Sequence, residues 1–200
     1  MIKNMLTKLR KTIAHFGDDT KGVAAVEFAL VLPVMLLVYV GSVEAGSLIS
    51  VDKRVQSVAA AMGDLVSRSN TKIAACDIQD YFAAASATLM PYSATGLQQI
   101  VTSVLVKTDG TTEVQWSRAA GTNAKGENAV PYEKGDAFPL PEAMTDISNN
   151  AYVIVSEAAY SYHPITTLIY DQTIPLRREN FYLPRFGGSI EVNPTDTSAC

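Results

Sequence analysis

Between Gly22 and Val43 the chain reads GVAAVEFALVLPVMLLVYVGSV, an apolar run in which Glu27 is the one charged residue. As a helix rising about 1.5 Å per residue, Val23 to Val43 covers about 30 Å, the thickness of a bilayer's hydrocarbon core. The run is therefore read as a membrane span. At the centre of a span an acid costs on the order of 2.5 to 3.5 kcal/mol, and less near its end. Glu27, close to the start, either snorkels to the interface or finds a cationic partner.

The segment before the span carries Lys3, Lys8, Arg10, Lys11 and Lys21 against Asp18 and Asp19. Basic residues on this flank keep it in the cytoplasm and send the C-terminal part across the membrane. A secretory signal peptide is the rival reading, with Val43-Glu44-Ala45 as its small-residue cleavage site. The length of the leader and of the apolar run, with Glu44 and Pro33, fits it less well. Once the leader is set aside the remainder is acidic, with 11 basic and 18 acidic residues. An acidic exported domain is a poor nucleic-acid binder, and none is expected as a partner.

GVAAVEFAL, preceded by a basic leader ending in Lys21 and followed by Pro33 in VLPVMLL, resembles the processing site and helix of type IV pilin-like proteins. More narrowly it is similar to the TadE-like minor pseudopilins of the tight-adherence (Tad, or Flp, type IVc) pilus. A second similarity lies in AYVIVSEAAYSYHPI and LRRENFYLPR, which look like a strand, a Tyr-rich edge and the closing strand of those proteins. The resemblance implies a bacterial inner-membrane protein with a cytoplasmic N-terminus and a periplasmic domain, or one that reaches the cell surface in a pilus. It also implies that a prepilin peptidase cuts between Gly22 and Val23, which makes Glu27 the fifth mature residue. The partners implied are that peptidase, other pilin and pseudopilin subunits, the Tad secretion machinery and membrane lipid.

The spacing has a physical rationale of its own. Cleavage after Gly22 frees an α-amine at Val23, a group that titrates near about 7.7 in peptides, and exposes helix N–H groups that favour a nearby carboxylate. A staggered neighbouring helix would bring its amine to Glu27 in a low-dielectric bundle. Burying either charge alone is costly, so such a pair sets the register between subunits.

Beyond the span the helical period continues. Leu48, Val51, Val55, Val58, Met62 and Leu65 recur at three- and four-residue steps, with Asp52, Lys53, Gln56 and Asp64 between them. This predicts one helix, membrane-spanning over 23–43 and amphipathic to about 68, whose stripe packs on the chain's own domain. Pro33 removes an amide donor, so a kink or local melting is expected there. Gly41, Gly46 and Gly63 offer positions of close approach.

Ser69, Asn70 and Thr71 end the long helix, and a second runs from Asp77 to about Met90, with Ile78, Phe82 and Leu89 on one surface. From Leu97 the period becomes two. QQIVTSVLVKTDGTTEVQWSR is a hairpin with Asp109-Gly110 as a two-residue turn, which places Leu105 opposite Val114 and Trp116 on the Val114 face, in the core. Residues 119–136 form an exposed loop, and a short helix at 141–145 follows. Ala151 to Tyr162 alternates as a central strand, and a last strand or pair spans 173–192 with a bend at Gly187 and Gly188. The fold class is α+β: a cytoplasmic leader over 1–22, the long helix, and an exported domain over 69–200 built on an antiparallel sheet.

Cys76 and Cys200 would both reach an oxidising compartment, where a disulfide between them and two unpaired thiols are both open readings. No catalytic constellation, cofactor motif or metal spacing stands out. His15 lies in the leader and His163 precedes Pro164, while Tyr152, Tyr160, Tyr162, Tyr170 and Tyr182 form either an aromatic face or cover for a sheet edge. Three functions remain: a minor pilus subunit, the reading adopted and a non-enzymatic one; a permanently anchored binding or sensor module; and an anchored hydrolase around His163 or the tyrosines.

Overall fold

The computed structural model describes residues 21–164 and 172–193. Residues 1–20 of the leader, Tyr170 and Cys200 lie outside the described residues. The chain divides between Ala45 and Gly46 into two compact units. One helix, α1 (Lys21–Ser67), belongs to both and stays helical through Pro33. The expected melting there does not occur. Proline removes one hydrogen bond, to the carbonyl of Ala29, and the bonds of the flanking turns carry the helix across it.

In the second unit α1 lies on a four-stranded antiparallel sheet. Its strands are β2 (Leu97–Val106), β3 (Thr112–Gly121), β4 (Ala151–Tyr162) and β5 (Ile174–Tyr182). Val51, Val55, Val58, Met62 and Val66 of α1 are buried against the sheet. The stripe ends on Val66, with Leu65 only half-buried, because a straight helix of 3.6 residues per turn carries the buried face from 62 to 66. Helix α2 (Ala75–Ala87) closes the same core with Ile78, Phe82 and Ala85. Its last turn tightens into bonds from Thr88 to Ala85 and from Leu89 to Ser86, so it ends slightly earlier than the periodicity suggests.

β4 is central, between β2 and β5. Ile154 and Ala158 face the helices, and Val153 and Val155 face a second cluster with Val104, Val106, Val114 and Phe138. A loop running to Pro141 and helix α3 (Glu142–Ile147) supply Tyr132, Phe138, Leu140 and Met144 to that cluster.

The β2–β3 hairpin differs from expectation in two ways. Its loop holds three residues, 108–110: the Lys107 N–H donates to the Thr111 carbonyl at 2.8 Å, and Leu105 pairs with Glu113. Asp109 Oδ1 accepts from the Thr111 N–H at 2.9 Å and from its hydroxyl at 2.6 Å. Gly110, at φ +78°, takes the left-handed final position that such a loop needs. The register then slips again, because Ser103 pairs with Trp116 but Val104 with Val114. This bulge leaves Gln115 as the extra residue and reverses the alternation. Trp116 therefore sits half-buried on the helix side, its indole N–H donating to the Ile190 carbonyl, while Val114 joins the opposite cluster.

Two further segments depart from the expected loop and last strand. Lys72–Ala74 is a short strand, β1, paired in parallel with β6 (Glu191–Asn193) in a separate two-stranded sheet. Three-residue strands are too short to show a period. Buried Ile73 and Ile190 fix this corner instead. β3 also extends to Gly121, into the segment expected to be loop.

Candidate functional site

The membrane-directed part of α1 is apolar on every side. Its most apolar 18-residue window has a mean hydropathy of 2.5 and no residue buried within the protein. Leu30 is 71 %, Tyr39 68 % and Val38 65 % exposed. A helix that is hydrophobic all round belongs in a protein core or a bilayer. No described residue covers this one, and its length and composition are those of a candidate membrane span. Thirteen large apolar side chains between Val23 and Val43 are exposed. At about 1.5 kcal/mol or more for each one buried, their removal from water outweighs the cost of one acid near the end of the span.

Gly22, Val23 and Glu27 all lie at the start of α1 and are exposed. Among the described residues nothing lies within 4 Å of where a Cβ at Gly22 would stand. Val23 and Glu27 are four residues apart, hence on one helix face about 6 Å apart along the axis. Among the described residues Glu27 makes no ion pair.

From Asp52 onward, polar groups fasten α1 to β5. Arg178 holds Asp52 at 2.6 Å, the Gln56 amide donates to Asn180 at 2.8 Å, Tyr182 donates to the Ala60 carbonyl at 3.1 Å, and Arg185 holds Asp64 at 2.7 Å. Steps of four along the helix from Asp52 to Ala60 advance about 6 Å and steps of two along the strand from Arg178 to Tyr182 about 6.6 Å, so the two elements stay in step; Arg185 lies past the end of β5. Ser156 of β4 donates to the Ala59 carbonyl at 2.6 Å. Arg68 also bonds Asp64; its hydrogen bond, helped by Arg185, holds that carboxyl below the usual range. Asp52 raises Arg178 in the same way. The four- and eight-residue steps of Asp52, Gln56 and Asp64 show in the sequence, but their partners, far along the chain, do not.

Gly63 is a point of close approach, since a Cβ there would press into the Tyr182 ring and lie 2.7 Å from Ser156 Oγ; Gly46 is open. The described tyrosines do not gather into one exposed face. Tyr162 is buried in the helix-side core, Tyr160 and Tyr182 pack against that core, and burial raises both of the latter above the ordinary phenol value. His163 is exposed, with Nδ1 3.3 Å from the Thr173 hydroxyl. Among the described residues no group of His, Cys, Asp and Glu is arranged to hold a metal ion. Cys76, near the start of α2, is not a free thiol; Cys200, its partner in the disulfide reading, lies outside the described residues.

Residues 22–63 match the family model of the TadE-like proteins, a segment that holds the whole apolar run and most of the buried half of α1. No curated protein and no solved structure matches the chain.

Proposed function

We propose that this chain, TadE-like over residues 22–63, is a minor pilin-like subunit in the biogenesis of a Tad (Flp) pilus. The observation that carries the reading is an all-round apolar helical stretch, covered by no described residue, that contains Gly22 and, five residues on, Glu27. In this reading the basic leader stays in the cytoplasm, the helix inserts in the inner membrane, and the domain faces the periplasm. A prepilin peptidase cuts after Gly22, and the helix enters a bundle of pilin helices. There the Glu27 carboxylate meets the Val23 amine of a neighbouring subunit and fixes the stagger. The role is structural rather than enzymatic.

Mass spectrometry of the mature N-terminus, on membrane and sheared-surface fractions, tests this, with Gly22→Leu in parallel. The expected result is a start at Val23 that is lost in the variant, and a Glu27→Ala protein that is inserted and processed but absent from the sheared fraction. A start at Gly46 would mean a secreted protein and overturn the reading. A start at or near Met1 would mean a permanently anchored module.

A further inference from the structure

We propose that the outer edge of β3 between Trp116 and Ala119 receives an extended acidic segment of a partner protein by strand addition, its carboxylates meeting Arg118 and Lys134. β3 is an edge strand, paired on its inner side with β2. Both ends of its outer side are occupied by the chain itself. At Val114 the N–H donates to the Asp136 carbonyl and the C=O accepts from Gly135, both at 2.8 Å; at the other end Ala129 donates to the Gly121 carbonyl at 3.0 Å. Counting back from Gly121 by the two-residue alternation of a strand, Ala119 and Ser117 present their backbone groups on that same side. Among the described residues no backbone group outside the β2 ladder reaches them.

The side chain of Arg118 marks the vacant row, because its guanidinium donates to the Ser117 carbonyl at 2.8 Å, in the place of a neighbouring strand's N–H. A cleft of about 550 Å³ opens beside Trp116, Ser117 and Arg118, with Pro131, Lys134 and residues 189–192 also in its lining. An added strand would lie about 4.8 Å from β3. Edges that only resist pairing are covered or charged along their length. Here the two ends are covered and the middle opens onto a cleft.

Charge selects the occupant. Arg68, Arg177, Arg178 and Arg185 each hold a carboxylate, whereas Arg118 and Lys134 make no ion pair among the described residues; the acid whose charge reaches Lys134, Glu113, is already held by Lys107 at 2.7 Å. The lining holds one acid, Glu191. An acidic strand would take over the two cations and release the guanidinium from Ser117.

The test is independent of processing at Gly22 and uses the full-length protein in detergent micelles. A fluorescent eight-residue peptide of alternating Val and Asp is titrated by anisotropy against its Lys-for-Asp counterpart, with amide hydrogen exchange read at Ala119. The acidic peptide is expected to bind and the basic one not, with slowed exchange at Ala119. The Arg118→Glu/Lys134→Glu protein is expected to bind at least about tenfold more weakly. Ala119→Pro, which removes an outward N–H and leaves the β2 ladder intact, is expected to weaken binding as well, with Trp116 fluorescence reporting that it folds. No binding of the acidic peptide at about 1 mM, or equal affinity for both peptides, would overturn the proposal. So would indifference to charge reversal, or binding without protection at Ala119, which would mean ion pairing on the surface alone.

Discussion

Single residues decide how closely α1 and the sheet approach. Gly63 faces Tyr182, whose ring is tethered by its hydroxyl to the Ala60 carbonyl and has little freedom to retreat. Gly63→Ala is expected to destabilise the protein by about 1–3 kcal/mol, as overpacking does. Urea unfolding followed by Trp116, the one tryptophan, measures it. Because the clash is with one ring, Gly63→Ala/Tyr182→Leu should cost less than the sum of the two single changes. Asp64 gives a pH dependence. Its folded-state carboxyl is held below the ordinary value, first by the Arg68 hydrogen bond and with help from Arg185, so the unfolded chain binds the proton more readily. The stabilisation is complete above the unfolded carboxylate value of about 3.9 and is lost as pH falls through the lower folded one. Asp64→Asn should therefore flatten the acid limb of stability against pH and leave the slope above about pH 6 unchanged. An unchanged acid limb would show that the two arginines do not act on this carboxyl in solution.

At the scale of elements, Glu157 of β4 and Arg177 of β5 join adjacent strands. The carboxylate is 5 % exposed and the guanidinium 64 %. Beside them the Tyr132 phenol is raised above its ordinary value, first by burial and then by the Glu157 charge. Arg177→Met strands a buried carboxylate and should cost about 1–3 kcal/mol, below the full penalty of a buried pair because water reaches the arginine. Adding Glu157→Met should restore much of the loss, which urea midpoints of the single and double variants will show. These pairings also mark what sequence can reveal of the fold. The buried stripe of α1 and the alternation of β4 are written in local period, so helix, central strand and α+β class were legible. The ladder from Asp52 to Arg178 joins residues 126 positions apart, and no local period encodes it. The hairpin was legible as a hairpin, but one extra loop residue and a bulge at Gln115 moved its register and turned Trp116 over. In the candidate site, the apolar run and the Gly22–Glu27 spacing were legible because both are purely local. The open edge of β3 was not, since it depends on where distant loops come to rest.

For the whole molecule, exposed apolar surface is concentrated in one place. Large apolar side chains are exposed in unbroken succession from Val34 to Tyr39, with Leu30, Val31 and Leu32 just before them, whereas from Gly46 onward the exposed ones, such as Met90, Val130 and Ile147, are scattered. Apolar residues exposed singly are ordinary on a soluble domain; a continuous sleeve of them is not. The second unit also has what it needs to stand alone. It begins at Gly46, and Ser47 is a good N-cap residue for a helix restarted there. Its core runs from Val51 to Ile190 without using any residue of the span. Residues 46–200 expressed alone in an oxidising compartment should therefore be a soluble, cooperatively folding monomer by size-exclusion chromatography, while the full chain should partition into the detergent phase. A fragment that aggregates or lacks a cooperative transition would mean that the domain depends on the span for its fold. A full chain that stays in the aqueous phase would remove the bilayer from the account of α1, and with it the basis for a pilin-like role.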